Sequence, residues 1–328
     1  MSLRRFGALV VTGSLLAALA ACGSSDPEPV AGETRVFAAD NGDVTIPKDP
    51  RRVVATGYAV PALIEADAEL VGISLFQRSV PMMSAQDKAT YDELEKVAGE
   101  TADETNYEKI ALAKPDLIVI GVPTPVLDDI DLDRLKAIAP VVAIGPTVPK
   151  AWRELSRRQS DAAGRLETFD QARTAYEKKA GELKAKYAAV LADTRFAHVG
   201  GYGQVAKGNF MREFGGSWGT NIAEDIGVKY YGQVKKPGEG SLAVSEQVSI
   251  ELLPTDLRDA EVITYTLEPD GSVGPAVQFV MNSPLWKALP AVKAGRAYGI
   301  RYTQASTYES AQLTLDALDQ ALAPLLTR

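Results

Sequence analysis

The chain has 328 residues, of which 46% are hydrophobic and 24% charged, and this is enough to build two globular domains with cores of their own. A net charge of −8 without a basic run argues against a nucleic-acid or anionic-lipid partner. A single cysteine excludes a disulfide framework, and a single histidine excludes a histidine-rich metal site.

The start of the chain has the pattern of an export signal followed by a tether. Two arginines precede an apolar run over residues 6–21, which is too short to cross a bilayer. Small residues then lead directly into Cys22, the only cysteine, as in a bacterial lipobox. We expect residues 1–21 to be a lipoprotein signal peptide, Cys22 to carry the lipid on the outer face of the membrane, and residues 22–33 to be a tether. The alternative is an ordinary secretory signal with an incidental cysteine.

Residues 34–166 predict an α/β lobe with a mainly parallel sheet. The lobe opens with a hairpin, because two strand-like segments flank Asn41-Gly42, a dipeptide that favours tight turns. Short apolar runs and helical patterns alternate after it, which is typical of parallel strands linked by helices. The predicted strands cover residues 50–56, 70–74, 116–121 and 141–144, and the predicted helices cover residues 60–66, 108–114 and 128–138.

A long amphipathic helix is predicted over residues 168–192. Its start, from Thr168 to Gln171, has the pattern of a capping box. Apolar residues recur at intervals of three or four, which indicates one buried stripe. The stripe consists of Phe169, Ala172, Tyr176, Ala180, Leu183, Tyr187 and Val190. With its flanks, as residues 167–193, this helix is expected to join two lobes rigidly.

Residues 194–328 predict a second α/β lobe, again with a mainly parallel sheet flanked by helices. Strands are predicted over residues 195–200, 261–265 and 296–301, and helices over residues 220–226, 244–253, 285–289 and 308–326. The two lobes can be compared at one point. Glu108 opens a short helix that leads to a strand, and Glu246 opens a predicted helix that leads to another. The pattern therefore predicts one carboxylate at the same position of each lobe.

Four segments carry a specific resemblance to a protein family. They are residues 46–54 (Ile-Pro-Lys-Asp-Pro-Arg-Arg-Val-Val), 106–120, 244–248 and 285–296. Their order resembles the helical-backbone, class III substrate-binding proteins of ABC importers, the group that carries iron-siderophore complexes and cobalamin. The resemblance implies two α/β lobes on a single long helix, with little change of angle between the lobes and the ligand in the cleft.

The same resemblance implies a docking role for two acidic residues. In such proteins a glutamate on each lobe docks on arginines of a permease dimer, and these positions map onto Glu108 and Glu246. The alternative is that both are acids placed favourably at helix N-termini.

The ligand-binding side chains are expected in loops that follow strands. A ferric siderophore is bulky and its iron is already coordinated, so its binder needs aromatic rings for shape and Arg or Tyr donors for oxygen atoms. The candidates are Tyr58, Arg78, Phe210, Arg212, Trp218, Tyr265, Arg301, Tyr302 and Tyr308. Similarity to siderophore binders favours Arg78, Phe210 and Arg212 first. Each aromatic has core packing as its alternative, and core packing is what we expect of Trp286.

We therefore expect a monomeric, lipid-anchored binding protein that captures a ferric siderophore and delivers it to a permease. The sequence has no dense arginine cluster that would bind a highly anionic carboxylate or catecholate chelate. Neutral or cationic hydroxamate complexes of the ferrioxamine kind are therefore favoured. The siderophore holds the iron, so we expect neither a cofactor nor a metal ligated by the protein. Haem, which a tyrosine can ligate, and cobalamin stay open as ligands of the same transporter class.

An enzyme is the remaining alternative, and the residues give it little support. His198 lies within an apolar strand, and no serine stands in a Gly-x-Ser-x-Gly elbow. The glycine-rich residues 200–208 lack the Gly-Lys-Ser/Thr of a phosphate loop.

Overall fold

The structure, a computed structural model, describes residues 32–327 and begins with the predicted hairpin. β1 (Thr34–Ala39) and β2 (Gly42–Pro47) pair antiparallel across the Asn41-Gly42 turn. Gly42 has a φ of +105°, a conformation that residues with a Cβ rarely adopt. The Asn41 side chain then ties the hairpin to the first sheet, because its Oδ1 accepts from the backbone N–H of Ala143 at 2.9 Å.

The predicted signal peptide, Cys22 and nearly all of the tether lie outside the described residues. Residues 33–328 form one unit that holds both lobes and the helix between them. Within residues 32–327, no helix is long and apolar enough to cross a membrane.

The first lobe is a five-stranded, wholly parallel sheet with the order β5-β4-β3-β6-β7, which confirms the predicted alternation. Its strands are β3 (Val53–Gly57), β4 (Leu70–Ser74), β5 (Lys96–Ala98), β6 (Leu117–Gly121) and β7 (Val141–Ala143), and its helices are α1 (Ala59–Glu65), α2 (Ala85–Glu93), α3 (Tyr107–Ala113) and α4 (Leu132–Lys136). The helix predicted over residues 128–138 is only α4, because the preceding Thr124–Asp129 forms a 3-10 turn and Asp131 caps the helix after it.

Two helices, α5 (Trp152–Ala162) and α6 (Leu166–Leu191), lead out of the first lobe. With 26 residues, α6 is about 39 Å long and is the predicted connecting helix. The capping box predicted at Thr168 is wrong, because Gly164, at φ +69°, turns the chain so early that the helix begins at Leu166. Five residues of the predicted stripe are buried: Phe169, Tyr176, Ala180, Leu183 and Tyr187. Ala172 and Val190 are partly buried against the same core, and Leu191, which was not predicted, is buried as well.

The second lobe is a mixed sheet with the order β11-β9-β8-β12-β13, in which β10 also pairs with β8. Its strands are β8 (Arg195–Gly200), β9 (Asn209–Glu213), β10 (Lys229–Tyr230), β11 (Ser245–Ser249), β12 (Val262–Thr266) and β13 (Ala297–Ile300). Its helices are α7 (Asn221–Asp225), α8 (Leu253–Leu257), α9 (Pro275–Asn282), α10 (Pro284–Ala288), α11 (Pro290–Lys293) and α12 (Tyr308–Leu322). β8, β12 and β13 run parallel, whereas β9 is antiparallel to both of its neighbours.

The helix predicted over residues 244–253 is wrong, since this segment begins with the edge strand β11. Val248 of β11 pairs with Phe210 of β9, and both side chains are buried in the core of the lobe. The apolar spacing of this segment suits a helix as well as a strand, and pairing with β9 decides between them. Sequence reasoning missed β9 itself, which lies in the glycine-rich stretch.

The two lobes also contact each other through helices, around the start of α12. Tyr308 there lies 5.0 Å from Trp152 and 5.3 Å from Tyr176, measured between ring centroids. The Glu65 carboxylate, at the end of α1, accepts from the backbone N–H groups of Tyr308 and Glu309, both at 3.0 Å. An aromatic core and a carboxylate cap therefore hold α12 against the first lobe.

Candidate functional site

The cleft between the lobes is bounded by loops that follow strands of both sheets. Tyr58 follows β3 directly, and Arg78 lies in the 3-10 turn after β4. The second lobe contributes the loops after β8, β12 and β13, because the carboxyl ends of its parallel strands meet at one edge. A cavity of about 280 Å³ opens between these loops; its lining includes Arg78, Tyr202, Thr266, Glu268, Tyr302 and Gln304.

Arg78 lies among three aromatic rings at one wall of the cleft. Its Nη1 donates to Tyr58 Oη at 2.8 Å, and its guanidinium carbon is 5.3 Å from the centroid of the Tyr58 ring. The same carbon is 5.8 Å from the centroid of the Trp218 ring and 5.9 Å from that of Phe76. These are cation–π distances, so the rings stabilise the positive charge without neutralising it. Burial raises the pKa of the Tyr58 phenol, which keeps it uncharged at neutral pH.

Arg78 also connects the two lobes. Its Nη2 donates to Gln304 Oε1 at 3.0 Å, and the Gln304 amide donates to the hydroxyl of Tyr202. Sequence reasoning missed Gln304 and Tyr202. Tyr202 follows β8, so the rule that selected Tyr58 would have found it, whereas a glutamine in a loop carries no comparable signal.

Of the nine predicted ligand-binding residues, Arg78 and Tyr302 line the cavity, and Tyr58 and Trp218 pack beside Arg78. Tyr302 lines the cavity with its backbone at φ +60°, in the left-handed region that non-glycine residues rarely adopt. Arg301, its neighbour, lines a different depression, beside Gly271 and Gly299.

The structure does not bring Phe210 and Arg212 to the cleft. Both belong to β9 and point to its covered face, where each is only 1% exposed. The Arg212 guanidinium donates to the backbone carbonyls of His198, Glu213 and Tyr231 at 2.7–3.2 Å. Its donors are therefore used inside the lobe.

Tyr265 and Tyr308 also lie away from the cleft. Tyr265 packs edge-on against Trp286, with 6.3 Å between ring centroids, while the next residue, Thr266, lines the cavity. Consecutive residues of a strand face opposite sides, which explains the difference. Tyr308 is 4% exposed within the aromatic core at the start of α12. Trp286 is 3% exposed, so its predicted structural role is confirmed.

A buried polar cluster supports the loop that carries Trp218. Glu213 Oε2 accepts from the backbone N–H of Gly219 at 2.6 Å, and burial raises the pKa of this carboxyl. A Cβ on Gly219 would lie 2.0 Å from His198 Nε2, so only glycine fits there. Burial lowers the pKa of His198 to about 3, and its ring bonds to Thr264 within the sheet. Within residues 32–327, the His, Cys, Asp and Glu side chains form no group of three that could hold a metal ion.

Comparison with known proteins agrees with this two-lobed arrangement. The family model described as "Periplasmic binding protein" matches residues 54–302, which is well over half of the chain and includes strands of both sheets. The chain belongs to the periplasmic binding protein family. The cleft described above is therefore the interlobe cleft of a periplasmic binding protein.

Three known proteins show what this periplasmic binding protein is similar to. The iron(3+)-hydroxamate-binding protein YxeB of Bacillus subtilis is 29% identical over 281 residues, covering 84% of this chain and 80% of the relative. The iron(3+)-hydroxamate-binding protein FhuD of the same organism is 26% identical over 304 residues, covering 90% of each chain. Among solved structures, the siderophore periplasmic binding protein from the fuscachelin gene cluster of Thermobifida fusca has a TM-score of 0.68 at 30% identity, covering 85% of this chain and 98% of that one.

The two acids predicted for docking occupy different settings on this periplasmic binding protein. Glu108 is exposed in the first turn of α3. Glu246 lies on β11, where its Oε2 accepts from the backbone N–H of Lys235 at 3.1 Å and its Oε1 is 3.8 Å from Lys235 Nζ. Its side chain is only 17% exposed.

Glu251, which sequence reasoning passed over, has the setting of Glu108. Asn106 and Ser249 each accept a backbone N–H through the side chain, and each stands two residues before one of these glutamates. Glu251 is exposed in the 3-10 turn that leads to α8 and then to β12. The structural counterpart of Glu108 in the second lobe is therefore Glu251.

Proposed function

We propose that this periplasmic binding protein captures a ferric siderophore in its interlobe cleft, with ferric hydroxamates favoured, and delivers it to an ABC importer. The observation that carries the proposal is Arg78, which is held by Tyr58 and Gln304 across the lobes with three aromatic rings around its charge. Two relatives named as iron(3+)-hydroxamate-binding proteins support the ligand class.

The chemistry of the cleft suits such a chelate. A guanidinium has more N–H donors than the two bonds to Tyr58 and Gln304 use, so Arg78 can donate to chelator oxygens as well. The rings of Tyr58 and Trp218 offer flat apolar surface to the carbon backbone of the chelator. The chelator supplies the iron ligands, so the protein needs no metal ligand and no cofactor of its own.

A ligand panel followed by tryptophan fluorescence tests this proposal. Ferric hydroxamate, catecholate and carboxylate chelates, haemin and cobalamin are each titrated into the protein. We expect the ferric hydroxamate to quench the emission at the lowest concentration, because Trp218 lies at the cleft and the ferric chelate absorbs light. If only haemin or cobalamin bound, the siderophore assignment would be wrong.

We propose that the protein is held outside the cytoplasm by a lipid on Cys22. Membership of the periplasmic binding protein family supports an extracytoplasmic location. The lipobox pattern and the polar residues after it support the anchor. Replacing Cys22 with Ser should release the mature protein from the membrane fraction, and continued anchoring of that variant would contradict the proposal.

We further propose that delivery uses Glu108 and Glu251 as docking carboxylates on a permease dimer. Their matching positions in the two lobes and their exposure support this pair. Glu246, the position to which the family resemblance pointed, is half-buried and faces Lys235.

We propose also that the protein acts as a monomer and as a binder without catalysis. A single lobe pair already forms the whole cleft. Sedimentation of the purified protein with and without chelate should give one monomeric species. A chelate that is recovered from the protein with an unchanged spectrum supports binding alone, and an altered chelate would contradict it.

A further inference from the structure

Glu268 is an exposed acidic residue of the cleft. It lies in the loop after β12 and lines the same cavity as Arg78, on the side of the second lobe. The loop is closed by two backbone hydrogen bonds of 2.9 Å, from Glu268 N–H to Ser272 and from Gly271 N–H to Glu268. The carboxylate is therefore carried by a defined turn.

The position of this carboxylate depends on a glycine. A Cβ on Gly274 would lie 2.2 Å from Glu268 Oε1, so the absence of a side chain at Gly274 leaves room for the carboxylate. Gly274 is also the N-cap residue of α9, and the positive end of the helix favours a negative charge there. The Glu268 side chain is thus placed against the start of α9 at the edge of the cavity.

Neither charge in the cavity is neutralised by the protein. Within residues 32–327, no Lys, Arg or His nitrogen lies within 4.0 Å of the Glu268 carboxylate. The partners of Arg78 are the hydroxyl of Tyr58, the amide of Gln304 and aromatic rings, all of them uncharged. One positive and one negative side chain therefore line a single cavity without pairing with each other.

A ligand that interacts with both Arg78 and Glu268 must carry two different chemical groups. Its oxygen-rich part suits Arg78, and a positively charged part suits Glu268. We propose that Glu268 is a specificity-determining residue that selects ferric chelates carrying an ammonium group. This inference rests on the proposed function, because it concerns the class of siderophore that the cleft accepts.

A pair of chelates that differ in one charge tests the proposal. The first is ferric desferrioxamine, a hydroxamate chelate with a terminal ammonium group, and the second is the same chelate with that amine acetylated. Dissociation constants are measured for the wild type at low salt and again in 0.5 M NaCl. We expect the ammonium form to bind about two- to fivefold more tightly at low salt, with a smaller preference at high salt.

Protein variants then assign the preference to one residue. Glu268→Gln should reduce the ratio of the two dissociation constants to about one, since the amide carries no charge. Asp270→Asn removes a carboxylate from the same loop that does not line the cavity, so it should keep the wild-type ratio. Thermal unfolding of each variant confirms that it is folded.

The outcomes separate this inference from the proposed function. Equal binding of both chelates by the wild type, or an unchanged ratio in Glu268→Gln, overturns the role of Glu268 and leaves ferric hydroxamate binding in place. A wild type that binds neither chelate overturns both proposals.

Discussion

The indole ring of Trp218 lies parallel to the phenol ring of Tyr58, with 6.2 Å between centroids and 7° between planes. Tyr58 belongs to the first lobe and Trp218 to the second, so the two rings meet across the cleft. Arg78 lies close to both rings and hydrogen-bonds to both lobes. The cleft walls are thus held together by aromatic and polar contacts before a ligand arrives, which favours a small adjustment on binding.

Trp218→Ala should weaken ferric-hydroxamate binding by about tenfold and remove most of the fluorescence quenching. The other two tryptophans, Trp152 and Trp286, are 1% and 3% exposed in cores, so Trp218 is the indole at the cleft. Fluorescence titration measures both effects. Trp286→Phe is the control and should retain the quenching; loss of quenching in that variant alone would place the ligand elsewhere.

Arg78→Lys should behave like Arg78→Gln and raise the dissociation constant by about tenfold. An ammonium group cannot donate to Tyr58 and Gln304 in the forked geometry of a guanidinium and still face the ligand. Arg301→Lys is the matched control, since Arg301 lines a separate depression. Isothermal titration of the three variants checks this, and a larger effect at Arg301 would contradict the assignment of the site.

Gly219→Ala should destabilise the second lobe by about 2 kcal/mol and weaken binding through a displaced Trp218. The added methyl group would meet His198, and the bond from Gly219 to Glu213 would be strained. Urea unfolding gives the stability change. Gly181→Ala, in an open position of α6, is the control and should not destabilise the protein.

Glu65 should make stability fall as the pH rises from about 4.5 to 7. Desolvation raises its pKa from 4.5 to about 7, so the unfolded chain loses this proton at a lower pH than the folded one. The contribution is therefore complete below pH 4.5 and lost as the pH passes 7, with an upper limit of about 3 kcal/mol. Asp87 and Glu309 nearby also have raised pKa values, chiefly through burial.

Urea unfolding at pH 5 and pH 8 measures this dependence. The free energy of unfolding should differ less between the two pH values in Glu65→Gln than in the wild type. This holds even if the amide lowers the stability at both pH values. Glu93→Gln, which replaces an exposed carboxylate of α2, should leave the difference unchanged. An equal pH difference in wild type and Glu65→Gln would contradict the prediction.

The double variant Glu108→Ala, Glu251→Ala should abolish iron uptake by cells while the purified protein keeps its ligand affinity. Both carboxylates are exposed outside the cleft, so their loss should act on docking alone. The matched control is Glu108→Ala, Glu246→Ala, which should take up iron as Glu108→Ala does. If the Glu108→Ala, Glu246→Ala variant lost uptake and the Glu108→Ala, Glu251→Ala variant kept it, the docking carboxylate of the second lobe would be Glu246.

Local patterns in the sequence were sufficient for much of the fold. The Asn41-Gly42 turn, the parallel first lobe and the buried face of α6 all depend on neighbours along the chain, and all three predictions are confirmed. The rule that cleft side chains lie in loops after strands found Tyr58 and Arg78, because both lie in segments that follow parallel strands whose carboxyl ends share one edge.

Only the tertiary structure decided the conformation, the pairing and the buried faces of β9 and β11. Residues 244–253 carry a spacing that suits a helix, and only the pairing of Val248 with Phe210 makes the segment begin as a strand. That pairing buries Phe210 and Arg212, and it leaves Glu251 rather than Glu246 in the position that corresponds to Glu108. Strand pairing joins residues far apart in the chain, so the sequence determined which segments could be strands, and only the folded sheet determined their partners and the faces that they bury.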